Sequence, residues 1–475
     1  METNIETEGP RLAHFRCARA LNLAGPVLTW GVWAAMTVGM IVFIRQHNRN
    51  VPYVDDFALV PVMTGHQPVS LDWVWAQHNE HRPVISRLIL AGLSRFVKND
   101  FRTGKYFNVG LLSAAAASML LLARRLRGRN TVADAVLPLS ILNIGQTESL
   151  MIAFAMNLIL TTWISFALIA TVMANRRSGW STVLRFGVLL VLLPLCGGSG
   201  MVMVPPLMLW LAGYVAWGWW SGHEPSGAGR AIGVGLLMTC SAIIPLYFCN
   251  YVKPIQHPPA PSLTAAASTT LEYLSTAICP NVPGYWQAGG ILLVLLVVTT
   301  LVRLTIVGFL APNERPRAFG LIAIILAMLA TAIAIGMSRS GLGPGTALAS
   351  RYITLTAPLL GALYIAWLVY GDRRARLAVH ASLLAIACSV APANIAFGLQ
   401  YGRRVSAAEV RVENALRAGA PSAQLMRRTC PAILRDPKIA YECFQMLKAA
   451  GFGEFKSFND DRVATAPDPP PTVRR

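Results

Sequence analysis

A chain of 475 residues that is 54% hydrophobic and only 13% charged, with a mean hydropathy of +0.50, lies far from the roughly 25% charge of a soluble domain. Apolar runs of about 18 to 22 residues recur along it, the length that crosses a bilayer. Composition therefore excludes a soluble enzyme and predicts an all-α polytopic membrane protein. The net charge of +19 does not point to a nucleic-acid partner, because the arginines sit at the ends of apolar runs and not on one soluble basic face.

Eleven spans are predicted, at about 26–44, 106–123, 131–144, 152–172, 183–197, 201–219, 231–250, 287–309, 318–336, 353–370 and 377–397. Residues 1–25 precede them as a cytoplasmic segment, and 26–397 form one transmembrane domain. The first apolar stretch, Gly25 to Ile44, is too long for the core of a cleavable signal and has no small-residue cleavage site after it. It is expected to stay as a signal anchor. Pro138, Pro194, Pro205, Pro206, Pro245 and Pro392 fall within or at the ends of spans and predict kinks or broken ends.

Arginine placement sets the orientation. With the N-terminus in the cytoplasm, the short inner loops hold Arg124, Arg125, Arg127, Arg129, Arg176, Arg177, Arg185, Arg230, Arg315, Arg317, Arg373, Arg374 and Arg376, while the comparable outer loops hold Lys253, Arg339 and Arg351. This is the asymmetry that the positive-inside rule describes. An odd number of spans then places the C-terminal tail outside. The outer face carries the elaborate segments: a large first loop over 45–104, a loop over 251–286, and a small helical tail over 398–475.

The first loop opens on Val54-Asp55-Asp56-Phe57. A carboxylate beside apolar surface has its charged form disfavoured and can accept a proton from a hydroxyl. Two adjacent carboxylates also suit Mg²⁺ or Mn²⁺, which prefer oxygen ligands. The bland alternative is a solvated turn or helix cap before Phe57. Farther along, Asn79-Glu80-His81-Arg82 puts a carboxylate, an imidazole and a guanidinium in succession. These suit acid–base and phosphate-clamping roles, although consecutive helical residues do not share a face. Pro83 to Val97 has an apolar stripe with Arg87 and Arg95 on another side, the pattern of an interfacial helix.

On the same side as this loop lie Gln146, Glu148 and the turn Gly197-Gly198-Ser199-Gly200, which either admits close backbone approach or closes a tight hairpin. The 251–286 loop is Pro-rich at Pro254, Pro258, Pro259 and Pro261, then predicts a short surface helix around Leu271-Glu272-Tyr273-Leu274. Arg339 and Arg351-Tyr352 flank the turn Gly341-Leu342-Gly343-Pro344-Gly345. An arginine there can hold a phosphate, or merely snorkel from a helix end. In the tail, Ala407 to Ala418 and Ile439 to Ala450 read as helices with Gly419 and Gly451 as stops, and the last dozen residues as disordered. Cys430 and Cys443 are able to pair if the tail faces an oxidising compartment.

Other signatures are missing from the sequence. His47, His66, His78 and His81 match no zinc spacing, and the sequence has no Walker A, GxSxG or GxGxxG motif.

This pattern resembles the GT-C superfamily of integral-membrane glycosyltransferases, which includes protein O-mannosyltransferases, aminoarabinose transferases and oligosaccharyltransferases. The features that carry the resemblance are the many spans and the large outer first loop with interfacial helices. An acidic motif, here Asp55-Asp56, follows span one. The stretches Asn79 to Arg82 and Ser350-Arg351-Tyr352 also look like those of bacterial membrane proteins placed near this superfamily. The resemblance implies transfer of a sugar from a polyprenyl-phosphate donor to a glycan, lipid or protein acceptor at the outer face of the cytoplasmic (inner) membrane. It implies Asp55 or Asp56 as base or metal ligand. On this reading Glu80 assists catalysis, and His81, Arg82, Arg87, Glu148, Arg339, Arg351 and Tyr352 contact substrate. The family often has a larger soluble outer domain than the 75 or so residues that follow the spans here.

Two other readings compete. A transporter or flippase needs polar residues deep in its spans, for which Asn143, Asn157, Arg303 and His380 are the candidates. A non-catalytic assembly factor for envelope polysaccharide is the other.

Overall fold

Long apolar runs with few charges can satisfy their backbone only as helices when lipid surrounds them, and helices are what form. The structure, a computed structural model, describes residues 9–97, 100–174, 179–220 and 227–460. Among the described residues there is no strand, and nine helices are long and apolar enough to cross a membrane. They are α1 (Gly9–His47), α2 (Arg102–Arg127), α3 (Met156–Ala174), α4 (Gly198–Trp220), α5 (Gly227–Phe248), α6 (Trp286–Leu310), α7 (Arg315–Arg339), α8 (Arg351–Tyr370) and α9 (Arg373–Arg417).

Two of the eleven expected spans are shorter. Val132–Ile141 has ten residues, and the other corresponds to Trp180–Cys196. Ten helical residues rise about 15 Å, half of a hydrocarbon core. The first of these continues as a broken segment. The Asn130 amide donates to Leu120 O at 2.9 Å, and the Asn108 amide faces the carbonyls of Ser149, Ile152 and Ala153 at 3.4 Å. Residues 130–153 thus run back along about 18 Å of α2. Pro138 and Pro194 sit in these short pieces, whereas Pro205, Pro206, Pro245 and Pro392 lie inside unbroken helices.

The centre of the bundle is α8 with α3: their apolar stretches are 89% and 83% buried, against 22%, 17% and 17% for α1, α5 and α9. Polar groups gather at two opposite poles. At one, Arg127 pairs with Asp134, Tyr370 Oη donates to Glu314, and Arg303 Nε donates to Tyr370 O at 2.8 Å. At the other lie the first loop, the 251–286 segment and the tail.

Both of the latter differ from expectation. The helix around Leu271 spans Leu263–Ser275 and packs inward, not along the surface. Glu272 is buried and accepts the Gly345 amide at 2.9 Å. Only Gly fits at position 336, where a Cβ would stand 2.6 Å from Ala266 O. The helix expected at 407–418 is the end of α9, which runs unbroken out of its span. The second tail helix is Pro437–Ala449, and Gly419 and Gly451 stand at φ +61° and +65°. The tail packs on the first loop: Phe444 stacks on Phe57 with ring centroids 6.3 Å apart, and Phe452 meets Phe101 at 5.2 Å. Cys430 and Cys443 are buried free thiols, and Cys443 Sγ donates to Phe57 O at 3.8 Å. The first eight residues, Arg176, Arg177 and the terminus read as disordered lie outside the described residues.

Candidate functional site

A cavity of about 490 Å³ opens at the pole formed by the loops. Seven of the ten residues given catalytic or substrate roles from the sequence line it: Asp55, Glu80, His81, Glu148, Arg339, Arg351 and Tyr352. Local chain geometry places each of them.

Asp55 lies in the 3-10 turn Val54–Leu59, entered from Val54 at φ +50°. That conformation is a genuine outlier for a β-branched residue. His78 and His81 exchange two backbone hydrogen bonds at 2.8 and 2.9 Å, with Asn79 left-handed at φ +49°. This closes a tight turn that aims Glu80 and His81 at the cavity. His78 Nε2 stands 3.4 Å from Asp55 Oδ1. Burial alone raises the Asp55 carboxyl, but the hydrogen bond and charge of His78, with Arg351 and His81 behind it, outweigh that and hold it below the usual carboxylate range. Asp55 is therefore an ionised acceptor at neutral pH.

The glycine turn has a defined job. The Gly198 amide donates to His81 Nδ1 at 3.0 Å, and a Cβ at Gly198 would press on the same nitrogen. The neutral His81 ring thus carries its proton on Nε2, which lies 3.6 Å from Glu80 Oε1. Burial, reinforced by His78, pushes His81 down to about 4, so it is neutral. Glu80 also pairs with Arg339 and lies 3.3 Å from His257 Nδ1. Arg339 Nη1 is 2.8 Å from His257 Nε2. An arginine only donates, so His257 accepts at Nε2 and donates from Nδ1 to Glu80. Burial, then Arg351 and Lys253, lowers the His257 pKa.

Across the cavity, Glu148 binds Arg351 Nη1 at 2.8 Å and accepts from the Arg351 amide at 3.2 Å and Ser350 Oγ at 3.0 Å. It thereby caps α8, where a carboxylate complements the helix dipole. The Arg351 guanidinium lies 5.1 Å over the Tyr352 ring and keeps 38% of its side chain exposed, so it can reach a ligand. Ile152, Leu158, Met201, Val202, Phe248 and Ile335 line the rest of the cavity. The lining thus combines charged and apolar side chains.

Three singled-out residues lie elsewhere. Arg82 donates to the carbonyls of Tyr247, Trp75 and Cys249 at 2.8, 2.8 and 2.7 Å. Arg87 donates to Trp73 O at 2.7 Å and also to Ala76 O. Neither arginine lines the cavity: Arg82 commits Nε, Nη1 and Nη2 to backbone carbonyls, and Arg87 commits Nη1. Asp56 points inward: its Oδ1 accepts the Phe154 amide at 3.0 Å and its Oδ2 lies 3.8 Å from Lys105 Nζ.

Asp55 and Asp56 therefore diverge, and as a pair they do not fit a shared Mg²⁺ or Mn²⁺. Among the described residues no group of three His, Cys, Asp or Glu side chains is arranged to hold a metal ion. The cavity adds residues with no site role assigned from the sequence. His78 carries weight as the Asp55 partner, not as a zinc ligand. His257 sits in a Pro-rich strap, and Tyr401, 3.3 Å from Tyr53 Oη, sits just past the end of the last predicted span; neither has a sequence signal.

No known protein family, curated protein or solved structure matches the chain.

Proposed function

We propose that this protein is a membrane glycosyltransferase of GT-C type that moves a sugar from a polyprenyl-phosphate donor to an envelope acceptor at the outer face of the cytoplasmic membrane. The observation that carries this is one large cavity whose lining combines charged side chains, Asp55, Glu80, Arg339 and Arg351 among them, with apolar ones such as Leu158, Met201 and Ile335. A lipid-phosphate sugar likewise joins a charged phosphate to an apolar chain. The prenyl chain lies along Leu158, Met201, Val202 and Ile335. The phosphate takes the exposed Arg351 guanidinium in place of Glu148, a charge-assisted contact suited to its oxygens.

Asp55 is the general base. The acceptor hydroxyl oxygen bonds to the anomeric carbon, its proton passes to Asp55, and the carbon–phosphate oxygen bond breaks with its electron pair leaving on the phosphate. Arg351 offsets the charge that develops there. Glu80, fixed by Arg339 and His257, and the His81 Nε2–H are placed to bond sugar hydroxyls. No step requires a metal.

Two further facts support the assignment. The arginines of the predicted inner loops, such as Arg127 and Arg317, lie at the pole opposite the cavity, which by the positive-inside rule supports an outward-facing cavity. The residues a transporter would use do not form a path. Asn157 lines the outer cavity, Asn143 caps Gly145 at 2.7 Å, Arg303 is tied to Tyr370 O, and His380 stacks on Tyr364 at 3.9 Å.

The test is comparative mass spectrometry of envelope lipids and glycans from a deletion strain complemented with wild type or Asp55→Asn, at matched protein levels. Loss of one sugar modification in both the deletion and the variant, with build-up of its lipid-linked donor, is the expected result. An unchanged glycan profile in the deletion would sink the transferase reading.

A further inference from the structure

Three fully buried charged side chains cluster beside the cavity, not in it. Lys105 on the first turn of α2, Asp56 of the first loop and Glu409 of α9 are all fully buried. Lys105 Nζ donates to Asn48 Oδ1 at 2.7 Å and stands 3.8 Å from Asp56 Oδ2 and 3.9 Å from Glu409 Oε1. Neither of those two oxygens has a hydrogen-bond partner. The single Lys105 charge offsets both, and burying such a set is costly unless partners hold it together.

Each end of the cluster is tied to backbone that builds the cavity. Asp56 Oδ1 holds the Phe154 amide, the Phe154 ring packs on His78 with centroids 4.6 Å apart, and His78 meets Asp55. At the other end Glu409 Oε2 accepts the Arg49 amide at 2.6 Å. The tail grips the same stretch again where it is strained: the Val54 amide donates to Ile433 O at 2.9 Å. A left-handed β-branched residue persists only where its surroundings over-determine it, and Val54 immediately precedes Asp55.

We propose that Asp56, Lys105 and Glu409 are positioning residues, a buried charge clamp through which the C-terminal region holds Asp55 and His78 in the cavity. The tail is then part of the site's construction, although only Tyr401 of α9 reaches the cavity. The proposal rests on the cavity being the working site, and its test is independent of the substrate.

Hydrogen–deuterium exchange is followed by mass spectrometry on the full chain in lipid nanodiscs, for wild type, Glu409→Gln, Lys105→Met and Lys105→Arg. The expected result is exchange about tenfold faster across 52–57 and 152–156 in Glu409→Gln and Lys105→Met. Lys105→Arg restores slow exchange, and 130–140 at the far pole is unaffected in every variant. If Lys105→Met fails to fold, Glu409→Gln decides alone. Faster exchange confined to Arg49 and its neighbours, with 152–156 unchanged, would overturn the clamp, because the tail's influence would stop before the cavity. The transferase reading fails separately, through an unchanged glycan profile in the deletion strain.

Discussion

Asp55 and Asp56 are adjacent and chemically identical, yet only one faces the cavity. In a tight 3-10 turn successive side chains point about 120° apart, so one carboxylate takes the cavity and the other the interior. Burial pushes Asp56 up to about 6, against the pull of Lys105 and of the Phe154 and Ala153 amides. Between about pH 4 and 6 the folded state thus holds a proton that the unfolded chain, with an ordinary carboxyl near 3.8, has already lost, while at neutral pH Asp56 is ionised. Stability contributed by this group is full below about pH 4 and is lost as pH rises toward 6. In thermal unfolding, wild type should therefore gain stability relative to Asp56→Asn on acidification from pH 6 to 4, the asparagine still accepting from Phe154. Parallel curves for the two proteins over that window would contradict the assignment.

The two loop arginines behave alike at this scale. Arg82 satisfies three backbone carbonyls, so Arg82→Ala leaves them unpaired. It should cost about 2–4 kcal/mol of stability and show as lowered protein abundance with residual activity per molecule intact. Arg351→Ala should do the opposite, lowering activity at normal abundance. A reversal of that pattern in quantitative immunoblots paired with glycan profiling would show that the phosphate contact lies with Arg82.

At the scale of elements, the strap over 251–262 contributes Tyr251 and His257 to the cavity wall. Gln77 exchanges two hydrogen bonds with Val252, at 2.6 and 3.0 Å, and Gln256 reaches Asn79 at 3.2 Å. Behind the strap a Cβ at Gly341 would stand 2.4 Å from Pro258 O. Gly341→Leu should lift the strap and expose it to limited proteolysis near Lys253, while the apolar helices stay protected. An unaltered cleavage rate would show that the strap is held elsewhere.

Much of this was legible in the sequence. The apolar runs marked the long helices, the Pro83–Val97 stripe marked the helix Val84–Phe96, and Gly419 and Gly451 marked helix ends. The polar clusters at Asp55, Glu80–His81, Glu148 and Arg351 converge across more than 290 residues of chain because most of what surrounds them is apolar. What was not legible depends on long-range contacts. Nothing local shows that Arg82 is consumed by the Tyr247 and Cys249 carbonyls, that Glu272 turns inward to meet Gly345, or that Glu409 returns to Lys105 and Arg49. The Val132–Ile141 segment read as a full span because composition measures apolarity and not where a helix breaks.

At the scale of the whole molecule, two polar poles enclose an apolar band, with the cavity at one and the clustered arginines at the other. In a cysteine-free background, Leu71→Cys should be labelled from outside intact cells by a membrane-impermeant maleimide, since Leu71 is exposed on the first loop. Asp372→Cys at the opposite pole should be labelled only after permeabilisation. The inverse pattern would turn the cavity toward the cytoplasm and remove the outer-face transferase.

The most direct test is the rate of sugar transfer from radiolabelled polyprenyl-phosphate sugars to endogenous acceptors in isolated membranes, with wild type, Asp55→Asn and Asp56→Asn compared at equal protein. Loss of a general base lowers the rate by about 10²- to 10⁴-fold. Asp55→Asn should show that loss with substrate binding retained, and Asp56→Asn, which keeps the Phe154 contact, should fall far less. Equal rates for wild type and Asp55→Asn would contradict the role of the cavity carboxylate.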